Sequence, residues 1–149
     1  MTSNTIIPFV GYGDFKLYQS LSDTKRIIKE CGLKYRTEIW LNNDFTNPVP
    51  WTIIRIEEQI SLFFANDKLF KIYVENGCTA KLPNGICLGM PLEEAMEIDQ
   101  DLEWNDWDED FQSPDGYWLE DELDNNTVIS ISIFIKEALD DDLFDNYKW

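Results

Sequence analysis

The stretch that most limits how this chain can fold is TVISISIFI, residues 127–135, the clearest period-two pattern in the sequence. Side chains alternate faces along a β-strand, so Ile129, Ile131, Ile133 and Ile135 share one face while Ser130 and Ser132 lie on the other. A strand this apolar is expected at the centre of a sheet. Neighbours for it are easy to find. WTIIRIEEQISLFFANDKLFKIYVENG, residues 51–77, contains three runs rich in Ile, Phe, Tyr and Val, and Asn66-Asp67 is a hairpin turn between the second and third. KYRTEIWL (34–41) and GYWLEDEL (116–123) read as two further strands, the second turned into residues 127–135 by Asp124-Asn125-Asn126. NNDFTNPVP (42–50) is a loop by its Asn and Pro content.

Two helices complete the count. SLSDTKRIIKECG offers Ser20 or Ser22 as cap, places Ile27, Ile28 and Cys31 on one face and stops at Gly32. NGICLGMPLEEAMEID reads as a turn, a short strand, a tight Gly89 and then a helix. Pro91 is expected at its first position, Glu93 and Glu94 in its first turn, and Leu92, Ala95 and Met96 as a narrow apolar stripe. Residues 6–18, punctuated by Pro8, Gly11 and Gly13, are expected to be irregular. The tail KEALDDDLFDNYKW begins polar but ends in Phe144, Tyr147 and Trp149, as a segment that packs back would. The fold class is α+β, a mainly antiparallel sheet with about two helices. With no repeat or linker, residues 1–149 form one domain, long enough to bury roughly 70% of the unfolded chain's surface.

Charge is divided unevenly between the two halves. Residues 1–75 hold nine acids and nine bases; residues 76–149 hold twenty acids and three bases, which accounts for the whole net charge of -17. A field this one-sided repels nucleic acid and anionic membranes and steers a cationic partner. Its densest part is DLEWNDWDEDF, Asp101 to Phe111, with six carboxylates, two tryptophans and no base. A solvated face accounts for carboxylates, but a merely solubilising surface has little use for Trp104, Trp107, Phe111, Tyr117 and Trp118. Trp104, Phe111 and Trp118 can equally serve a core beneath a solvated loop. Trp107, between Asp106 and Asp108, is expected to face outward.

Most catalytic chemistry is excluded by what is missing. Without histidine there is no Ser-His-Asp triad, no Cys-His dyad and no familiar zinc motif. Cys31, Cys78 and Cys87 are odd in number and lack CxxC spacing, so they read as free thiols in a reducing compartment, with Cys87 the one most expected to be buried. DWDED places Asp106, Asp108 and Asp110 like the start of a calcium loop, yet Phe111 stands where the loop glycine belongs and Tyr117 where the bidentate glutamate belongs. A pair of carboxylates acting as acid and base, as in glycoside hydrolysis, is the one catalytic option left, and the abundance of acids makes any such pair uninformative. No catalytic, cofactor or metal residue is assigned. The start lacks a basic segment followed by a long apolar one, and no run is long enough to cross a bilayer, so a cytoplasmic location is expected.

Several of these segments together resemble a known group. An apolar run ending in Gly-Met, then proline and Glu-Glu opening a helix, as in GICLGMPLEEAMEID, is similar to small bacterial α+β proteins: outer-membrane assembly lipoproteins, secreted β-lactamase inhibitor domains and immunity proteins. Joined to the acidic aromatic segment, GYWLEDEL and NNTVISISIFIKE, over about residues 52–137, it resembles the immunity proteins of contact-dependent growth inhibition and related polymorphic toxin systems. Without a signal peptide or lipobox cysteine, the first two groups are disfavoured. The resemblance implies a cytoplasmic, non-enzymatic protein that binds a cognate toxin C-terminal domain 1:1, and a nuclease toxin would present a basic cleft. The partner-binding residues expected on this reading are Asp101, Glu103, Trp104, Asp106, Trp107, Asp108, Glu109, Asp110, Phe111, Trp118 and Glu120. Other expectations for the same acids are a module for another basic partner and, more distantly, a small carboxylate-dependent hydrolase.

Overall fold

A computed structural model describes residues 4–41 and 49–149. Short strands β1 (Ile6–Ile7), β2 (Gly11–Tyr12) and β3 (Phe15–Lys16) open the chain, followed by α1 (Leu21–Glu30). Four longer strands come next: β4 (Tyr35–Trp40), β5 (Trp51–Ile56), β6 (Ile60–Ala65) and β7 (Lys68–Glu75). After α2 (Leu92–Ile98) lie β8 (Glu103–Asn105), β9 (Asp110–Ser113), β10 (Tyr117–Asp121) and β11 (Val128–Phe134). A 3-10 turn (Lys136–Leu139) and α3 (Asp141–Asp145) end it.

Among the described residues, eight strands form one antiparallel sheet in the order β4-β5-β6-β7-β11-β10-β9-β8. The isoleucine-rich strand β11 is interior, as its pattern predicts, between β7 and β10. The register lines its apolar residues up with those of its neighbours. One row runs Ile54, Leu62, Ile72, Ile133 and Tyr117; the next runs Ile56, Ile60, Val74, Ile131 and Leu119. All ten are buried, and they pack with Ile6, Tyr12 and Phe15 of the small sheet, Ile28 of α1 and Ala95 of α2. Of Ile129, Ile131, Ile133 and Ile135, Ile129 alone is exposed. Burial of such side chains contributes roughly 1.5–3 kcal/mol each and is the main stabilisation of the fold.

The opposite face is polar and aromatic. Its rows are Arg55, Ser61, Tyr73, Ser132, Trp118 and Gln112, and then Ile53, Phe63, Lys71 and Phe134. Ser130 and Ser132 are nevertheless buried. The C-terminal tail returns to this face: Trp51 and Phe70 meet Phe144, Tyr147 and Trp149, and the indole of Trp51 donates to the Tyr147 hydroxyl at 2.9 Å.

Local chemistry accounts for the element ends. The Ser20 hydroxyl accepts from the Asp23 amide at 3.2 Å, so Ser20 rather than Ser22 caps α1, and Gly32 follows the helix at φ 66°. Asn66 and Asp67 both take positive φ, 50° and 59°, as a two-residue hairpin between twisted strands requires. Several expectations are corrected. Residues 6–18 form three paired two-residue strands instead of irregular chain. The short strand expected at residues 86–88 is a single bridge, Lys81 to Cys87. Pro91 sits one position before the first residue of α2, and Met96 is exposed, so the buried residues there are Leu92 and Ala95. Cys78 is the buried cysteine, its sulfur 3.6 Å from the Tyr12 hydroxyl, while Cys31 and Cys87 are half-buried; all three are free thiols. The predicted loop at 42–50 falls largely outside the described residues. No helix among the described residues is long and apolar enough to cross a membrane.

Because Ile133 sits within a buried apolar row, between Ile72 and Tyr117, with no exposed surface, Ile133→Ala is expected to cost about 2–5 kcal/mol. Urea unfolding should show a lower midpoint with an unchanged slope.

Candidate functional site

The acidic aromatic segment is a hairpin, not a loop. β8 pairs with β9, placing Trp104 directly opposite Phe111, with the rings edge to face at 5.0 Å. Asp106 to Glu109 form the turn. The Asn105 side chain accepts from the Asp108 amide at 2.8 Å, its carbonyl accepts from the Glu109 amide at 2.8 Å, and Glu109 takes φ 56° to close it. Asparagine before a polar turn, with an aromatic on each side, was a readable signal; strands of three and four residues rich in acids hid it.

The hairpin is anchored from below. Asp99, at the end of α2, is buried and accepts hydrogen bonds from the Ser113 hydroxyl at 2.6 Å, the Asp101 amide at 3.0 Å and the Tyr117 hydroxyl. Burial opposes its ionisation, but these three donors prevail and hold its pKa below the usual carboxylate range. The turn from β9 to β10 requires Gly116, which takes φ 101° and where a Cβ would lie 2.5 Å from the Phe9 ring.

Beside the hairpin lies a groove of about 700 Å³. Asp101, Glu103, Trp104, Trp107 and Asp108 form one wall, Trp118 and Gln112 come from the sheet, and Ala138, Leu139 and Asp141 come from the returning tail. Four carboxylates and no lysine or arginine line it. Trp107 stands at the rim, 93% exposed, as its flanking acids predict. Trp104 is half out of solvent and its indole donates to Asp106.

Of the expected partner-binding residues, Asp101, Glu103, Trp104, Trp107, Asp108 and Trp118 come together in the groove, and Asp106 and Glu109 are exposed on the adjoining turn. Three do not reach it. Phe111 is half-buried and holds the hairpin against the core. Glu120 accepts from Ser130 at 2.7 Å. Asp110 is buried, shares the Gln112 amide with Asp108 at 2.9 Å each, and has its pKa raised by burial. Leu139 and Asp141 were missed, because nothing local tells that the tail closes the groove.

Lys71 lies beneath Trp118. Its ammonium is 5.3 Å from the Phe63 ring centre, 5.6 Å from Trp118 and 6.0 Å from Tyr73, within cation–π range of all three. Burial lowers its pKa, opposed by the field of Glu120, Asp110 and Asp108. Glu120 and Asp110, and in part Asp108 at the groove wall, are therefore balanced from within, whereas no lysine or arginine lines the groove beside Asp101, Glu103 and Asp141. Among the described residues no three histidine, cysteine or acidic side chains converge as a metal site would need. No family model, curated protein or solved structure matches the chain.

The Asp99 anchor has a pH signature. A carboxylate whose folded pKa is lowered contributes stability that is present above its unfolded pKa of about 3.9 and lost as pH falls through the folded value. Asp99→Asn is expected to cost about 1–3 kcal/mol at neutral pH. The gap between wild type and variant should narrow as urea midpoints are followed into acid below about pH 4.

Proposed function

We infer that this chain is a non-enzymatic inhibitor that binds a basic protein domain through the hairpin groove, in the role of an immunity protein against a toxin acting in the cytoplasm. The observation that carries the reading is Trp107, held almost wholly in solvent at the rim of a groove lined by Asp101, Glu103, Asp108 and Asp141. A large ring exposed in this way gains from docking, and tryptophan is among the residues that most often dominate an interface. The surrounding carboxylates steer and orient a cationic partner, but exposed ion pairs supply only about 0–1 kcal/mol each, so the aromatic is needed for affinity. A nuclease cleft must be basic to hold phosphates, and a groove presenting four carboxylates has the charge to occupy it in place of the polyanion. The resemblance of residues 52–137 to immunity proteins supports the same role.

The test is calorimetric titration of the C-terminal domain encoded immediately upstream of this chain's gene, at about 50 and 300 mM salt, a range over which screening changes substantially. Tight 1:1 binding that weakens with salt is expected. The double variant Trp107→Ala, Asp108→Ala should lose about 2 kcal/mol or more of affinity with its thermal unfolding unchanged; Asp110 is left in place because it is buried. Absence of binding, or unaltered affinity in the variant, would contradict the reading.

A further inference from the structure

The two edges of the large sheet are treated very differently. At one end β8 is only three residues long, begins with Glu103 and is flanked by Asp101 and Asp106, a short and charged edge that discourages strand pairing. At the other end β4 is six residues long, has β5 as its sole neighbour among the described residues, and is uncharged on one face. On that face Tyr35 is 43% exposed and Ile39 65% exposed, with Thr37 exposed between them. Trp40 and Leu41 are exposed as well. An unpaired, exposed strand bearing large apolar side chains is a template for another strand.

The sequence of β4 specifies which strand. When two copies pair antiparallel with their sheet faces continuous, directly opposite residues have the same parity, so the two-fold axis passes through a residue. Centring on Arg36 sets Arg36 against itself, and centring on Glu38 sets Glu38 against itself; both are repulsive. Centring on Thr37 sets Arg36 against Glu38 of the second copy twice over, Tyr35 against Ile39 twice over, and Thr37 against itself. Arg36 already pairs with Glu38 and Glu58 of its own chain, and Glu38 with Arg55. This register extends that network across the axis with opposite charges facing, pairs aromatic with β-branched side chains, and gives a threonine pair at the axis, all favourable across strands. We propose that β4 is a homodimer interface, in which two copies join edge to edge about a two-fold axis through Thr37 into one continuous sixteen-stranded sheet. The proposal does not rest on the inhibitor reading. It leaves the hairpin grooves at the two far ends, each about 34 Å from the axis edge along seven strand spacings, so a partner would be bound two to two.

Sedimentation velocity of the full chain across a dilution series tests this. The expected result is a mass twice 17.5 kDa at the concentrated end, falling toward 17.5 kDa on dilution. Arg36→Glu or Glu38→Arg alone places like charges opposite each other twice and should weaken dimerisation by about tenfold or more. The double exchange restores opposite charges and should restore the dimer. Ile39→Asp, at a residue largely in solvent, should also give a monomer while circular dichroism stays that of wild type. A wild-type mass of 17.5 kDa throughout, or a dimer indifferent to the single exchanges and to Ile39→Asp, would overturn the proposal.

Discussion

The constraint on which the rest of the molecule depends is the one-sidedness of the large sheet. Two rows of aliphatic and aromatic side chains, carried by β5, β6, β7, β11 and β10 in register, turn toward α1, α2 and the small N-terminal sheet. That face carries the hydrophobic stabilisation and leaves the other face free to be polar. A one-residue slip of β11 would exchange Ile131 and Ile133 for Ser130 and Ser132 and lose the core at once, so the register is strongly determined. Lys71, Tyr73, Glu120 and Gln112 can therefore occupy the second face, and the acidic hairpin can extend from its edge.

Charge and burial are separated along the same axis. The balanced first half of the sequence builds β4 to β7, and the acidic second half builds the strands beyond β11, so the sheet carries a gradient from a neutral edge to an acidic one. The acids at the far edge are not all equivalent. Asp99 is ionised and consumed in holding Ser113 and Tyr117; Asp110 is buried under Gln112; Glu120 serves Ser130. Those with solvent in front of them, Asp101, Glu103, Asp108 and Asp141, are the ones that border the groove. Density of carboxylates in the sequence thus mixes structural and surface roles that only the fold separates.

What could be read from the sequence follows the range of the interactions involved. The strand β11, the Asn66-Asp67 turn and the Ser20 cap depend on residues adjacent in sequence, and each stands as its local chemistry demands. Trp107 was legible for the same reason, since two flanking carboxylates leave an indole nowhere to be buried. The hairpin escaped because its stability comes from the Trp104–Phe111 pair and from pairing with β10, which outweigh the poor strand propensity of its acids. Cys78 and Cys87 exchanged roles because burial at Cys78 is set by Tyr12, sixty-six positions away. The far wall of the groove, Leu139 and Asp141, depends on aromatic contacts of the tail with Trp51 and Phe70, which no local pattern encodes.

The central claim is that the hairpin groove is where a basic partner sits. Hydrogen exchange of the chain, free and saturated with the domain encoded upstream, addresses this most directly, because it maps the contact without altering it. The account predicts slowed exchange confined to Asp101–Trp118 and to Ala138–Asp141, with the amides of β5 and β6 unaffected. Protection elsewhere on the surface, with the hairpin exchanging as in the free chain, would contradict it.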